Sequence, residues 1–322
     1  GCQKGGDMQK NAVVLFTRVR LFSTISVILA IAASLFFSDL LGKGSMGWQV
    51  VIAVIALAIG IPHGALDHLV TLPKTEPKKM GFFIIVYVAV AIIAVFGILK
   101  FNTVGFILVL FMSAIHFGIG DAAFINEIDK RSEGTKKLNR WFYIPAAGFT
   151  PVFIPLVNSA STEALASVNP SLINWHQGLD SQILFTITVF AILAIGVMVF
   201  DKRYREALDL IVLLLLAHLA PPLIAFAVYF GCWHAMRHTA RLTLSLPGCI
   251  ENITEGMLRK AFSKAVIPGL PALIGTFVVA GLLALSGRDF TDEFFWMALV
   301  VVWALTVPHM MVTAKLDRAA LT

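Results

Sequence analysis

Apolar runs long enough to cross a bilayer, each needing about 20 residues, recur from end to end of this 322-residue chain. Nothing else in the sequence limits the fold so strongly. The runs fall near 21–41, 47–70, 81–100, 103–124, 141–158, 181–200, 206–219, 221–244, 264–286 and 291–313. Soluble domains are about a quarter charged, whereas this chain is 14% charged and 58% hydrophobic. The expected fold class is all-α: a polytopic integral membrane helix bundle of about ten transmembrane helices in one domain. The fifth run holds Pro145, Pro151 and Pro155 and is expected to be kinked or partly irregular. The seventh stops at Pro221-Pro222, so runs seven and eight form a tight hairpin or one broken span.

Basic residues set the orientation of such a bundle. With a cytoplasmic N-terminus and ten alternating spans, 22 of the 25 Lys and Arg fall on the cytoplasmic side. Only Lys43, Lys100 and Arg288 fall outside. The loop over 158–182 has neither Lys nor Arg, as an external loop should. Both termini are then cytoplasmic, and the expected location is the cell inner membrane, multi-pass. The expected organisation is an N-terminal tail over 1–20, a single transmembrane catalytic domain over 21–314 and a C-terminal tail over 315–322. Residues 1–7, which precede Met8, are expected to be a cloning remnant. The net charge of +6 calls for no nucleic acid, because the basic residues lie in short loops between apolar runs. Cys2, Cys232 and Cys249 form no CxxC or zinc-knuckle pattern, so no disulfide framework is expected.

Against this background the histidines stand out. Six of the eight lie in apolar runs: His63, His116, His218, His234, His238 and His309. Ionisable side chains in hydrocarbon are costly and mark functional sites by default. In the ten-span topology the second, fourth, eighth and tenth spans run in one direction. At ~1.5 Å per residue, His63, His116, His234, His238 and His309 then share one layer, somewhat inside the midplane. His234 and His238, at i and i+4, lie on one helix face and are able to chelate one ion. His63 and His116 are placed to add a third and a fourth ligand. An all-imidazole set suits iron, copper, nickel or zinc rather than magnesium or calcium. Pro62 and Gly64 flank His63, and Pro308 precedes His309, so both spans are expected to distort there. Asp67 and Asp121 follow His63 and His116 by four and five residues, where a carboxylate can hold an imidazole in one tautomer. His309 is either one of these supporting groups or an extra ligand. Arg237 and Arg241 read as cytoplasmic-end anchors or Asp partners. His218, His176 and His68 are not first choices, and Tyr229, Phe230 and Trp233 are candidate walls of an apolar tunnel, with ordinary core packing the simpler account of each.

Four motifs carry a family resemblance: GIPHGALDHLV (60–70), SAIHFGIGDA (113–122), APPLIAFAVYFGCWHAMRHTAR (220–241) and LTVPHM (305–310). In this order they resemble the bacterial and archaeal Brp/Blh-like β-carotene 15,15′-dioxygenases, membrane proteins linked to retinal supply for microbial rhodopsins. The resemblance implies cleavage of the central double bond of β-carotene by O2 to give two all-trans-retinal. It implies a non-haem Fe(II) cofactor held by His63, His116, His234 and His238, with His309 in a family motif of unassigned role. It assigns no catalytic group beyond these ligands. The implied partners are β-carotene and O2 as substrates, membrane lipid, and a rhodopsin that takes the retinal. The region before the second span gains no function from it.

Two other classes stay open at this point. A membrane di-iron lipid desaturase or hydroxylase needs about eight ligands in several His-rich boxes, and this chain has one HxxxH pair and no HxxHH. A His-rich transporter or haem electron-transfer protein would use His pairs across helices and would show a Soret band or metal-dependent transport.

Overall fold

A computed structural model describes residues 2–37, 46–64, 67, 76–132, 136–159, 161–285 and 290–322. His68, Lys43 and Arg288, which entered the reading above, lie outside the described residues. Among the described residues the chain is helical. The α-helices are α1 (Cys2–Phe36), α2 (Met46–Gly64), α3 (Pro77–Lys100), α4 (Asn102–Asp129), α5 (Arg140–Val157) and α6 (Ser161–Val168). They continue with α7 (Asp180–Phe200), α8 (Tyr204–Leu219), α9 (Pro222–Ala227) and α10 (Met236–Leu242). The last four are α11 (Pro247–Thr254), α12 (Leu258–Val266), α13 (Leu270–Leu285) and α14 (Phe290–Leu321). Five helices among the described residues are long and apolar enough to cross a membrane: Gly5–Phe36, Pro77–Lys100, Asn102–Asp129, Asp180–Phe200 and Trp296–Leu321.

Three local differences from the sequence reading have physical causes. Helix α1 begins at Cys2 rather than near 21, and Ala12, Leu15, Phe16 and Val19 are buried in it. Their spacing gives this polar-looking stretch an apolar stripe. Helix α5 runs unbroken through Pro145, Pro151 and Pro155 instead of becoming irregular. The eighth run is divided: after α9, residues Val228–Ala235 wind as a π-helix before α10 begins. Such wide turns are rare and concentrate at functional sites.

Helices α4, α5, α7 and α8 pack in succession, and α14 packs against α3, α4 and α13. Helix α2 lies on α9 and the π segment, and α1 on α8 and the π segment. The α4–α5 crossing is set by two glycines: a methyl on Gly118 would collide with the Ile144 carbonyl, and one on Gly148 with the Ala114 carbonyl. Backbones this close leave no room for a Cβ, and the contact brackets His116.

The buried apolar side chains form two groups. One includes Phe106, Phe117, Phe153, Leu216, Trp233 and Val300; the other includes Phe16, Phe124, Tyr143, Met198, Leu242 and Ile253. Along α4 the changeover falls between Phe117 and Ala122, and along the π segment and α10 between Trp233 and Ala240. Buried Asp121, His234, Arg237 and His238 fall within those two stretches, and His116 lies beside the first.

Candidate metal centre and its cavity

Five imidazoles meet at the boundary, all buried: His63 from α2, His116 from α4, His234 from the π segment, His238 from α10 and His309 from α14. The ring centre of His63 lies 5.2 Å from those of His234 and His238 and 5.1 Å from that of His309. The His116 ring lies 5.1 Å from both His234 and His309, and His238 lies 5.4 Å from His309. His234 and His238 are 6.2 Å apart with nearly parallel planes.

Hydrogen bonds fix two of the tautomers. His63 Nδ1–H donates to the Gly60 carbonyl, which accepts only, so Nε2 carries the free lone pair. His309 Nδ1–H donates to the Asp67 carboxylate at 2.9 and 3.1 Å. Tyr87 on α3 in turn donates its hydroxyl to Asp67 at 3.0 Å. On the far side, Nε2 of His116, His234, His238 and His309 is buried with no hydrogen-bond partner among the described residues. A buried polar atom left without a partner costs about 1–3 kcal/mol, and four close together are not an accident of packing. Neutral imidazole nitrogens of this kind are the donors that bind a transition metal. Among the described residues no group of three or more His, Cys, Asp or Glu side chains is arranged to hold a metal ion as it stands; the fit rests on the donor chemistry and on these orphaned atoms.

A cavity of about 540 Å³ leads away from the imidazoles. His63, His116, His234, His309 and Asp67 line its polar end, and the remaining wall is almost wholly apolar. His238 opens instead on a separate void of about 10 Å³, shared with Asp121, Trp233, His234 and Arg237. That is room for about one water.

The other expected residues fall as follows. Among the described residues Asp121 makes no hydrogen bond to an imidazole; it accepts from Tyr143 at 2.5 Å, from Arg237 at 2.8 Å and from Trp233 at 3.1 Å. Tyr229 and Phe230 line the large cavity. Trp233 faces the small void, with the Arg237 guanidinium 3.6 Å over its ring. Arg237 also reaches Asp209 at 3.4 Å, and Arg241 pairs with Asp317 at 2.7 Å. Arg20, counted above as a topology charge, is a core residue bound to Asp209 at 2.7 Å and Glu206 at 2.9 Å. His218 shares a hydrogen bond with Thr188 at 3.0 Å, away from the cluster, and His176 accepts from the Gly178 amide. Tyr87 escaped the sequence reading. The chain has only four tyrosines, and one inside an apolar run needs a hydrogen-bond partner when buried, which was the usable signal.

The fold and the site thus define a polytopic helical protein that sets a cluster of buried imidazoles at the head of an apolar chamber. The chain belongs to the β-carotene 15,15′-dioxygenase family, whose sequence model, described as "Beta-carotene 15,15'-dioxygenase", matches residues 53–317. It is 28% identical over 275 residues to a protein of the uncultured marine bacterium 66A03 named "Beta-carotene 15,15'-dioxygenase", covering 80% of this chain and 89% of the relative. It is 23% identical over 295 residues to the "Probable beta-carotene 15,15'-dioxygenase Blh" of Halobacterium salinarum, covering 82% of each. No solved structure matches the chain.

Proposed function

We propose that this protein cleaves the central 15,15′ double bond of β-carotene with O2, giving two all-trans-retinal, at a non-haem Fe(II) centre held by His63, His116, His234 and His238. The observation that carries this reading is the meeting of orphaned imidazole nitrogens with one end of a large apolar cavity. When bound, Fe(II) supplies a redox-active Lewis acid open to O2 chemistry.

The protein's own residues do the remaining work. The apolar wall binds a polyene and excludes bulk water from the cleaved bond. Phe117 and Phe230 pack on the His234 ring, at 4.3 and 6.2 Å between centres, and hold it against the cavity. Asp67, itself held by Tyr87, orients His309, which serves as a fifth ligand or as a hydrogen-bonding support. The setting is a ten-span bundle in the cell inner membrane with both termini in the cytoplasm, and the retinal supplies a microbial rhodopsin. Its single catalytic domain takes in residues 21–314 together with the flanking stretches packed into it, where Phe16 and Arg20 are buried at one end and Asp317 pairs with Arg241 at the other.

Retinal is expected to form in a host that makes β-carotene, and the purified protein is expected to carry one iron per chain. His234→Ala should abolish retinal while the protein still folds and inserts. Normal retinal yield from folded His234→Ala would sink the ligand assignment. Two irons per chain would favour the di-iron class instead.

A further inference from the structure

The large cavity has a blind arm of defined length. On α4 the lining residues Phe106, Val109, Leu110, Ser113 and His116 follow one helix face, and on α14 Leu299, Val302, Trp303, Thr306 and His309 do the same. Both stripes start ten residues before their imidazole, a distance of about 15 Å at ~1.5 Å per residue. Both helices run in the same sense from stripe to histidine: His116 meets His309 at one end, and Phe106 meets Trp303 towards the other. At the far end Leu165 and Val168 of α6, together with Leu172, form a floor. Phe106, Leu165, Val168, Leu172 and Leu299 are all buried, and Phe106 packs on Trp175 at 5.9 Å and on Trp303 at 5.4 Å. At the histidine end the cavity reaches α3, where Ile84 and Val88 are 45% and 47% exposed on the outer face of the bundle.

The geometry points to a ruler: the arm seats one terminal ring of the polyene on the floor, and the bond that then lies at the imidazoles is the bond that is cut. This rests on the function proposed above and deepens it, since it says why cleavage falls at the centre. Half of an extended forty-carbon polyene, a conjugated chain capped by one cyclohexenyl ring, has a reach comparable to the arm. The other half passes the histidines and leaves towards α3. Phe106, Val168, Leu172 and Leu299 become specificity-determining residues: they touch the distal ring and set the register of a bond far from them. The reaction they register is balanced, the C=C bond giving way to two C=O bonds with one oxygen atom of O2 on each carbon.

The test uses an apocarotenal bearing a single ring, so that the length of the ring-bearing product reports the depth at which the ring sits. Wild-type protein is expected to yield retinal from the ring end. Phe106→Ala lowers the floor, and its ring-bearing aldehyde should be longer than retinal by at least one vinylene unit. Val168→Phe raises the floor, and its ring-bearing aldehyde should be shorter. A ring-bearing product that stays at retinal length in both active variants would overturn the ruler while leaving central cleavage intact; a wild type that makes no retinal from β-carotene would overturn the function itself. Binding gives a second readout, independent of turnover. In metal-free protein, β-carotene is expected to quench the fluorescence of the tryptophans around the arm, Trp175, Trp296 and Trp303. Val168→Phe should weaken that binding at least tenfold. Equal affinity and equal quenching in wild type and Val168→Phe would show that the ring sits elsewhere.

Discussion

His309 owes its orientation to a carboxylate, and the carboxylate is held in turn by a phenol: Tyr87 to Asp67 at 3.0 Å, Asp67 to His309 at 2.9 Å. Supporting groups of this kind are commonly worth about 10- to 100-fold in metal affinity. Asp67→Asn is therefore expected to lower iron retention by about that factor, and Tyr87→Phe by less, both read as iron per chain after dialysis against a graded chelator. Unchanged retention in Asp67→Asn would make the pair a packing feature only. At this scale much of the site was legible. An imidazole in hydrocarbon is conspicuous whatever surrounds it, so the five histidines could be picked out from the chain alone. Their partners could not be. Asp121 lies five residues from His116, as a supporting carboxylate would, yet it bonds Tyr143, Trp233 and Arg237. Sequence distance along one helix does not say which neighbouring helix brings the competing donor.

Helices reach the site through their weak points. The Gly118–Gly148 crossing lets α4 and α5 touch backbone to backbone, and Gly148→Ala must push the Ala114 carbonyl away. A cost of about 1–3 kcal/mol is expected for such overpacking. Gly196→Ala on α7, where nothing lies within 4 Å of the added methyl, is the control and should be neutral or stabilising. Thermal unfolding in detergent compares the two, and equal midpoints would remove the crossing from the account. Most helices were legible because apolar runs and Pro/Gly breaks are local properties of the chain. The π segment over Val228–Ala235 was not, because nothing in VYFGCWHA distinguishes a wide turn from an α-turn. The choice is made by what packs on it from α1 and α2. The early start of α1 was hidden for a similar reason: its polar residues mask a stripe that matters only once α11 and the π segment lie against it.

The whole molecule carries its buried ion pairs on the basic side expected from the Lys and Arg count. Arg20, Arg203, Arg237 and Arg241 each pair with a carboxylate there. Part of the charge bias is therefore internal bonding as well as a topology signal, and the orientation needs its own measurement. Reporters fused beside Met8 and after Thr322 are expected to read cytoplasmic, with green fluorescence and no alkaline phosphatase activity. A periplasmic signal at either end would overturn the ten-span arrangement. The blind arm carries a kinetic consequence. Its floor residues Leu165, Val168 and Leu172 are buried, and its polar end lies at the imidazoles. On the ruler reading, the two retinals of one turnover are not equivalent: the outer one departs first, and the inner one must back out through the place where it was made. Turnover then obeys an ordered release in which the last product competes with the next substrate. An acceptor that draws retinal from the bilayer would set the pace of the enzyme without touching it.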